Sequence, residues 1–191
     1  RAGDSYSIAG AGILKGRGRP AEDFSERKFV FGACAAAALY RMDMLREVGL
    51  FDESFFLIYE DVDLSFRSQL AGYKCIYEPK AEVFHLVSRS IEKDSETSVY
   101  YGHRNVEWVY AKNMPAGLIP ATLLFHLLYC AASFVFFAAH GKARTFIRAK
   151  SDALRGLSRI LKKRKRIQKA KRIGDFYLLG ILERELYLPR W

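Results

Sequence analysis

The chain has 191 residues, half of them apolar, which is enough to bury the core of one domain with an appendage and excludes an intrinsically disordered chain. Its three cysteines, Cys34, Cys75 and Cys130, have no Cys-x-x-Cys spacing, which argues against a disulfide framework and against a zinc knuckle. The net charge of +10 is concentrated in residues 142–172, which hold 14 lysines and arginines and a single acid, so the basicity belongs to one segment.

The first 28 residues are rich in glycine, serine and charge, and this composition favours a loop or an irregular edge. The glycines of Gly16-Arg17-Gly18-Arg19-Pro20 fit neither a P-loop nor a dinucleotide fingerprint, so a plain loop is favoured over phosphate binding. The sequence opens polar, with neither an initiator Met nor a secretory signal. We expect it to begin inside a larger domain.

Short strands and helices are predicted next. Phe29-Val30-Phe31 is typical of a strand, and the small residues 32–38 after it allow a backbone or a ligand to approach closely. A helix over 41–48 is predicted to end at Gly49. Further along, the pattern predicts strands over 73–77 and 81–86 and a helix over 99–112.

The most informative segment is an aromatic run that leads into a helix predicted over 60–70. Glu60, Asp61 and Asp63 fall in its first turn and Ala71-Gly72 follows its end, which is the charge order that a helix dipole favours. A carboxylate at a helix N-terminus is kept ionised and oriented, as a catalytic base must be. The alternative for Glu60 and Asp61 is simple helix capping.

Residues 113–141 contain no Asp, Glu, Lys or Arg, and their apolar core over 118–139 is close to the length that crosses a bilayer. Residues 143–161 then place apolar side chains at helical spacing among arginines and lysines, which predicts a basic interfacial helix. A last amphipathic helix is predicted over 173–188. One straight crossing would put the basic segment and the body before it on opposite sides of the bilayer, so we predict a re-entrant or in-plane hairpin over 113–141 that keeps both on one side.

Several ordered motifs together resemble the C-terminal half of a family 2 glycosyltransferase of the rhamnosyltransferase-like branch. The resemblance covers about residues 5–120, with Ala35 standing where a glycine is typical. Its motifs are Gly32-Ala33-Cys34, Gly49-Leu50-Phe51-Asp52-Glu53, Tyr59-Glu60-Asp61-Val62-Asp63-Leu64, Gly72-Tyr73, Pro79-Lys80-Ala81, His85, Arg104-Asn105 and Lys112-Asn113-Met114-Pro115.

The resemblance implies an α/β nucleotide-diphospho-sugar transferase fold of the GT-A type, followed by membrane-associated helices. It makes Asp61 the base that takes the proton of an acceptor hydroxyl, with inversion at the anomeric carbon, and it gives Glu60 an orienting or acceptor-contacting role. The substrate-binding residues that we predict are Gly32, Ala33, Asp52, Tyr59 and Arg67. Asp63 is expected to be structural and to pair with Arg67.

A divalent metal, Mg²⁺ or Mn²⁺, is also implied, with His85 as one ligand; the alternative for His85 is a hydrogen bond at a strand edge. Asp61-Val62-Asp63 itself matches an Asp-x-Asp metal motif. Residues two apart on a helix point about 200° away from each other, however, so joint chelation is awkward. The resemblance places the metal-binding Asp-x-Asp in a preceding half of such enzymes, outside this sequence.

These observations predict three segments: a catalytic part over 1–112, a hydrophobic membrane segment over 113–141, and a basic helical tail over 142–191. The expected partners are a dTDP- or UDP-sugar donor, a lipid-linked glycan acceptor and an anionic membrane surface, at the cytoplasmic face of the bacterial inner membrane. Without a donor-binding half, this chain alone is expected to be inactive. The alternative is a non-catalytic membrane-attachment module; a nucleic-acid patch over 162–172 is disfavoured because no aromatic residues interleave it.

Overall fold

The computed structural model describes residues 1–84 and 95–184, which form a helix-rich fold with two small sheets, compatible with an α/β class. The strands are β1 (Asp4–Tyr6), β2 (Gly12–Leu14), β3 (Lys28–Val30) and β4 (Cys75–Tyr77). The helices are α1 (Met42–Val48), α2 (Glu60–Leu70), α3 (Glu96–Asn113), α4 (Ile119–Ala139), α5 (Ala143–Arg155), α6 (Leu157–Lys169) and α7 (Asp175–Ile181). Short 3-10 helices occupy Ala21–Phe24, Ala35–Ala37 and Glu53–Phe55.

Both sheets are antiparallel pairs, β1 with β2 and β3 with β4. Asp4 and Gly32 exchange backbone hydrogen bonds of 2.9 and 3.1 Å, which joins β1 to the chain after β3. The prediction of a loop over 1–28 is wrong for β1 and β2. All three residues of β1 are buried, so the strand lacks the alternation of polar and apolar residues that a half-exposed strand shows.

Most other predicted elements are confirmed. The helix ending at Gly49 is α1, and Gly49 takes the positive φ of 86° that favours glycine. The helix over 60–70 is α2, and the helix over 99–112 is the longer α3. Of the strand predicted over 81–86, residues 81–84 form none and the remainder lies outside the described residues, as does the end of the helix predicted over 173–188.

The core lies where α2 and α3 meet the sheets. Tyr6, Phe31 and Phe66 pack ring against ring, with centroids 4.9 to 5.7 Å apart. Gly32 beside them has no side chain because α2 passes too close: a Cβ there would overlap the Ser65 side chain. The small residue therefore serves helix packing, which fixes α2 against β1.

The basic helices pack directly on α3. Trp108 of α3 donates from its indole nitrogen to the Ala153 carbonyl at 3.0 Å, and Arg164 of α6 donates to the carbonyls of Ala111 and Met114. The single helix predicted over 143–161 is two helices, which meet at Gly156, and Trp108 lies so close to Gly156 that no side chain fits there.

Candidate active site

The loop that enters α2 has an unusual backbone. Phe56, Ile58 and Tyr59 all have positive φ, of 61°, 61° and 75°, although none is glycine. Each such residue is held at a cost of about 1 kcal/mol or more, and backbone strain of this kind clusters at active sites and ligand clamps. We call residues 55–59 the aromatic loop. Its conformation sets the direction in which Glu60 and Asp61 leave the core.

Two side chains of α3 hold the aromatic loop. The Asn105 amide donates to the carbonyls of Phe55, Leu57 and Ile58 at 3.0, 2.7 and 2.7 Å. Arg104 adds a second hydrogen bond to the Phe55 carbonyl at 2.8 Å, and its guanidinium lies over the Trp108 ring, 4.2 Å from the centroid. The loop is therefore fixed by a helix about 50 residues away along the chain.

Asp61 lies in the first turn of α2 and is partly exposed. Its carboxylate accepts from the amide of Val62 at 2.8 Å and from the amide of Ala35 at 3.3 Å. Both hydrogen bonds come from backbone amides, and the carboxylate lies at the N-terminal end of a helix, where the helix dipole attracts negative groups. This arrangement leaves a carboxylate that can accept a proton from an incoming group.

Glu60 has a different environment. It is partly buried, and burial raises the pKa of its carboxyl, with the charge of Asp61 adding to the shift. Among the described residues, its Oε2 atom has no hydrogen-bond partner.

A second carboxyl lies close to Asp61. The side chains of Asp4, Cys34 and Asp61 bring possible ligand atoms within 4.8 Å of one another. Asp4 is buried, and burial together with the Asp61 charge raises its pKa to about 6, although Arg1 opposes the shift. Sequence reasoning missed Asp4, because a short polar segment gave no sign that its first strand would run through the core.

Asp63, two residues after Asp61, makes its contacts in the protein interior. It is fully buried and is bonded by Arg67 at 2.9 Å, by Lys112 at 2.9 Å and by Asn113 at 2.8 Å. The predicted pairing of Asp63 with Arg67 is confirmed. The carboxylate of Asp61 is partly exposed and that of Asp63 is buried, so the two do not face a common metal position.

Arg67 does not offer a free guanidinium to a substrate. It is 6% exposed and donates to Asp63 and to the carbonyls of Val48, Gly49 and Leu50. Its part in this structure is to hold the end of α1, because the guanidinium fork is filled by one carboxylate and three carbonyls. Substrate contact by Arg67 stays a prediction.

Asp52 is a junction between three elements. Its carboxylate accepts from Lys112 of α3 and from Lys163 of α6, both at 2.6 Å, and from the amide of Ser54 at 3.1 Å. Burial alone would raise the pKa of Asp52, but the hydrogen bonds from the two lysines and Ser54 outweigh it and hold this pKa well below its usual range. Asp52 thus ties the basic helix to the start of the aromatic loop.

The remaining predicted site residues have these positions. Tyr59 is buried, its hydroxyl accepts from the Gly12 amide at 3.2 Å, and burial raises its pKa to about 12. Gly32 lies against Ser65, and Ala33 is partly exposed next to Cys34. His85, the predicted metal ligand, lies outside the described residues.

A cavity of about 860 Å³ opens on the other side of Tyr59, along β2 and β3. Its rim is cationic, with Lys15, Arg17, Lys28 and Lys74 among the lining residues. Glu60 and Asp61 do not line it. The cavity and the Glu60–Asp61 pair are thus separate features. A base must lie within reach of the proton that it accepts, so the carboxylate pair is the candidate site for proton transfer.

No family model and no solved structure matches this chain. Two curated proteins do, each called N-acetylglucosaminyl-diphospho-decaprenol L-rhamnosyltransferase, from Mycobacterium tuberculosis strains CDC 1551 / Oshkosh and ATCC 25618 / H37Rv. Each is 36% identical over 74 residues, which is 39% of this chain. The match spans 23% of the length of each relative. This partial homology relates part of the chain to two proteins named as glycosyltransferases.

Proposed function

We propose that this chain carries the acceptor side and the catalytic base of an inverting family 2 glycosyltransferase with a GT-A fold. The observation that carries the proposal is the placement of Asp61: a partly exposed carboxylate at a helix N-terminus, held by backbone amides and delivered by a strained loop. The similarity to two rhamnosyltransferases supports the same reaction class.

In the proposed reaction, an acceptor hydroxyl oxygen attacks the anomeric carbon of the donor sugar while Asp61 takes the hydroxyl proton. The new carbon–oxygen bond forms as the bond to the donor's diphosphate breaks, with inversion at that carbon. Glu60, whose pKa is raised by burial, orients the acceptor through a hydrogen bond. The other predicted contacts to substrate are the backbone at Gly32 and Ala33, and Tyr59 at the loop end; Asp52 positions the loop.

A divalent cation, Mg²⁺ or Mn²⁺, belongs to the proposal, with His85 as a ligand. Among the described residues, the group nearest to this chemistry is Asp4 and Asp61 with Cys34. The two carboxylates fit a hard cation and the thiol does not, so this set alone is an incomplete site. When bound, such a cation neutralises charge that develops on the leaving diphosphate.

The donor in this proposal is a dTDP- or UDP-sugar, such as the dTDP form of rhamnose, and the acceptor is a lipid-linked glycan. The relatives are named for a diphospho-decaprenol substrate and for rhamnosyl transfer, which supports both choices. Nucleotide sugars are cytoplasmic and lipid-linked glycans are held at the membrane. We therefore assign the protein to the cytoplasmic face of the bacterial inner membrane.

The test is sugar transfer by the intact protein from dTDP-rhamnose or UDP-sugars to N-acetylglucosaminyl-diphospho-polyprenol. Asp61→Asn should lower kcat by about 100-fold or more while donor affinity stays within about threefold, because only proton acceptance is lost. Asp43→Asn is the matched control, since Asp43 is also an acid in the first turn of a helix but pairs only locally with Arg41.

Retained transfer by the Asp61→Asn protein would refute the assignment of the base. If the intact protein binds no nucleotide sugar at all, the non-catalytic membrane module predicted as the alternative is favoured instead.

A further inference from the structure

Helix α4 has its polar side facing the protein and its apolar side facing out. The buried positions are Thr122, His126, Tyr129, Ser133 and Phe137, four of which carry a hydroxyl or an imidazole. The exposed positions carry no polar side chain, and the six largest exposed fractions among its bulky residues belong to Leu123, Leu124, Leu127, Leu128, Phe134 and Val135, between 38% and 66%. We call these six residues the outer face. A helix on the surface of a water-soluble protein shows the opposite arrangement.

The inner side of α4 is fixed to α3 by polar contacts. His126 bonds the Ala9 carbonyl at 2.8 Å and Glu107 of α3 at 3.0 Å, and its ring stacks on Tyr110 with centroids 4.1 Å apart. The hydroxyls of Tyr110 and Thr122 lie 2.9 Å apart. Burial raises the pKa of Glu107, but contacts with His126 and Lys150 outweigh it and hold this pKa well below its usual range.

These contacts decide how α4 meets a bilayer. It is the one helix among the described residues that is long and apolar enough to cross a membrane, by length and composition. To cross, it would have to leave α3 or take the ionised Glu107 with it into hydrocarbon, which is expensive. Lying flat keeps every polar contact on the protein side and leaves the outer face to the lipid.

Charge identifies the lipid. Helix α5 follows α4 after the turn at Gly141, and it exposes Ile147 and Leu154 beside a row of arginines at positions 144, 148 and 155. Arg148 and Arg155 are about three quarters exposed, and their described acidic partner is Asp152, the one acid in residues 142–172. Apolar side chains next to three arginines that share a single acid fit an interface with anionic headgroups.

We propose that the outer face of α4 lies in the plane of an anionic phospholipid leaflet as a monotopic attachment surface, with the arginines of α5 on the headgroups. This goes beyond the proposed transfer reaction and does not depend on it. A protein that binds vesicles but transfers no sugar would contradict the proposed function alone, and an active protein that binds no vesicles would contradict this inference alone.

The first experiment is flotation of the full chain with sealed vesicles of phosphatidylcholine alone and of phosphatidylcholine with about 30 mol% phosphatidylglycerol, a roughly physiological share of anionic lipid. Leu124→Glu with Val135→Glu should weaken partition into the anionic vesicles by about tenfold or more. Arg148→Glu with Arg155→Glu should remove most of the preference for anionic vesicles. Phe29→Glu is the matched control, because Phe29 is 65% exposed but lies on β3, and it should leave partition unchanged.

The second experiment distinguishes an α4 that lies in the plane of the bilayer from an α4 that crosses it. Single cysteines are introduced by Ala116→Cys and His140→Cys, at exposed positions flanking α4, after the native cysteines are replaced by alanine. An impermeant maleimide added outside the vesicles should label both positions equally. Protection of one of them would overturn the in-plane arrangement.

Two further results would overturn the proposal. One is that the same fraction of the wild-type chain floats whether or not anionic vesicles are present. The other is a stable dimer by light scattering that Leu124→Glu with Val135→Glu dissociates, because the outer face would then be covered by a second copy.

Discussion

Replacing Asn105 by alanine should destabilise the protein through the aromatic loop. Asn105 is fully buried, and its amide has two N–H groups for the carbonyls of Phe55, Leu57 and Ile58. Two net hydrogen bonds contribute about 2 kcal/mol. Phe55 keeps the hydrogen bond from Arg104, whereas Leu57 and Ile58 lose their donor, which adds about 1 kcal/mol. We expect the free energy of unfolding to fall by about 3 kcal/mol.

For a chain of this size, that loss lowers Tm by about 6 to 12 °C, which thermal unfolding followed by circular dichroism resolves easily. Hydrogen exchange should also speed up over residues 55–62, since the strained backbone loses its anchor. Thr97→Ala is the matched control, because Thr97 is exposed on the same helix, and its change should stay below about 0.5 kcal/mol. If Asn105→Ala is as stable as the parent and the loop exchanges no faster, α3 does not hold the loop.

Two further predictions follow from the buried charges. The pKa of Asp4 is raised to about 6, so the free energy of unfolding falls as pH rises from about 4 to about 6. Asp4→Asn should therefore stabilise the protein by up to about 3 kcal/mol at pH 7 and leave its stability unchanged at pH 4. Urea titrations at the two pH values measure this difference. Lys112→Met removes the buried cation shared by Asp52 and Asp63 and should lower the unfolding free energy by about 3 to 5 kcal/mol. Lys163→Met removes a cation that is 36% exposed and should lower it by less than about 1 kcal/mol; equal losses for the two lysines would contradict the burial argument.

Local signals in the sequence predicted most of the helices. Gly49 ends α1, and the carboxylates of Glu60 and Asp61 mark the start of α2. Such signals act within a few residues, so they can be read without the fold. The close packing of Trp108 on Gly156 could not be predicted in this way, because the two residues are 48 positions apart in the chain.

The carboxylates of the candidate site could be predicted from the sequence, but the hydrogen bonds that hold the loop before them could not. The Arg104-Asn105 and Lys112-Asn113 pairs were visible as motifs, yet their roles depend on where α3 meets the aromatic loop and Asp52. The hydrogen bonds of Arg67 were hidden for the same reason, since a cation next to acids does not reveal that it also donates to three carbonyls. Long-range contacts decide these roles, and composition does not encode them.

The double hold on Asp52 has a geometric consequence. The Asp52 carboxylate accepts from Lys112 of α3 and from Lys163 of α6, and α6 directly follows α5, so the loop that precedes Asp61 is tied to the helix next to the arginines of α5. If those arginines lie on the headgroups as proposed, the proposed base Asp61 would be kept at a fixed height above the membrane. In a lipid-linked glycan, only a sugar that lies at that distance from the membrane would then reach the proposed base, whichever sugar it is.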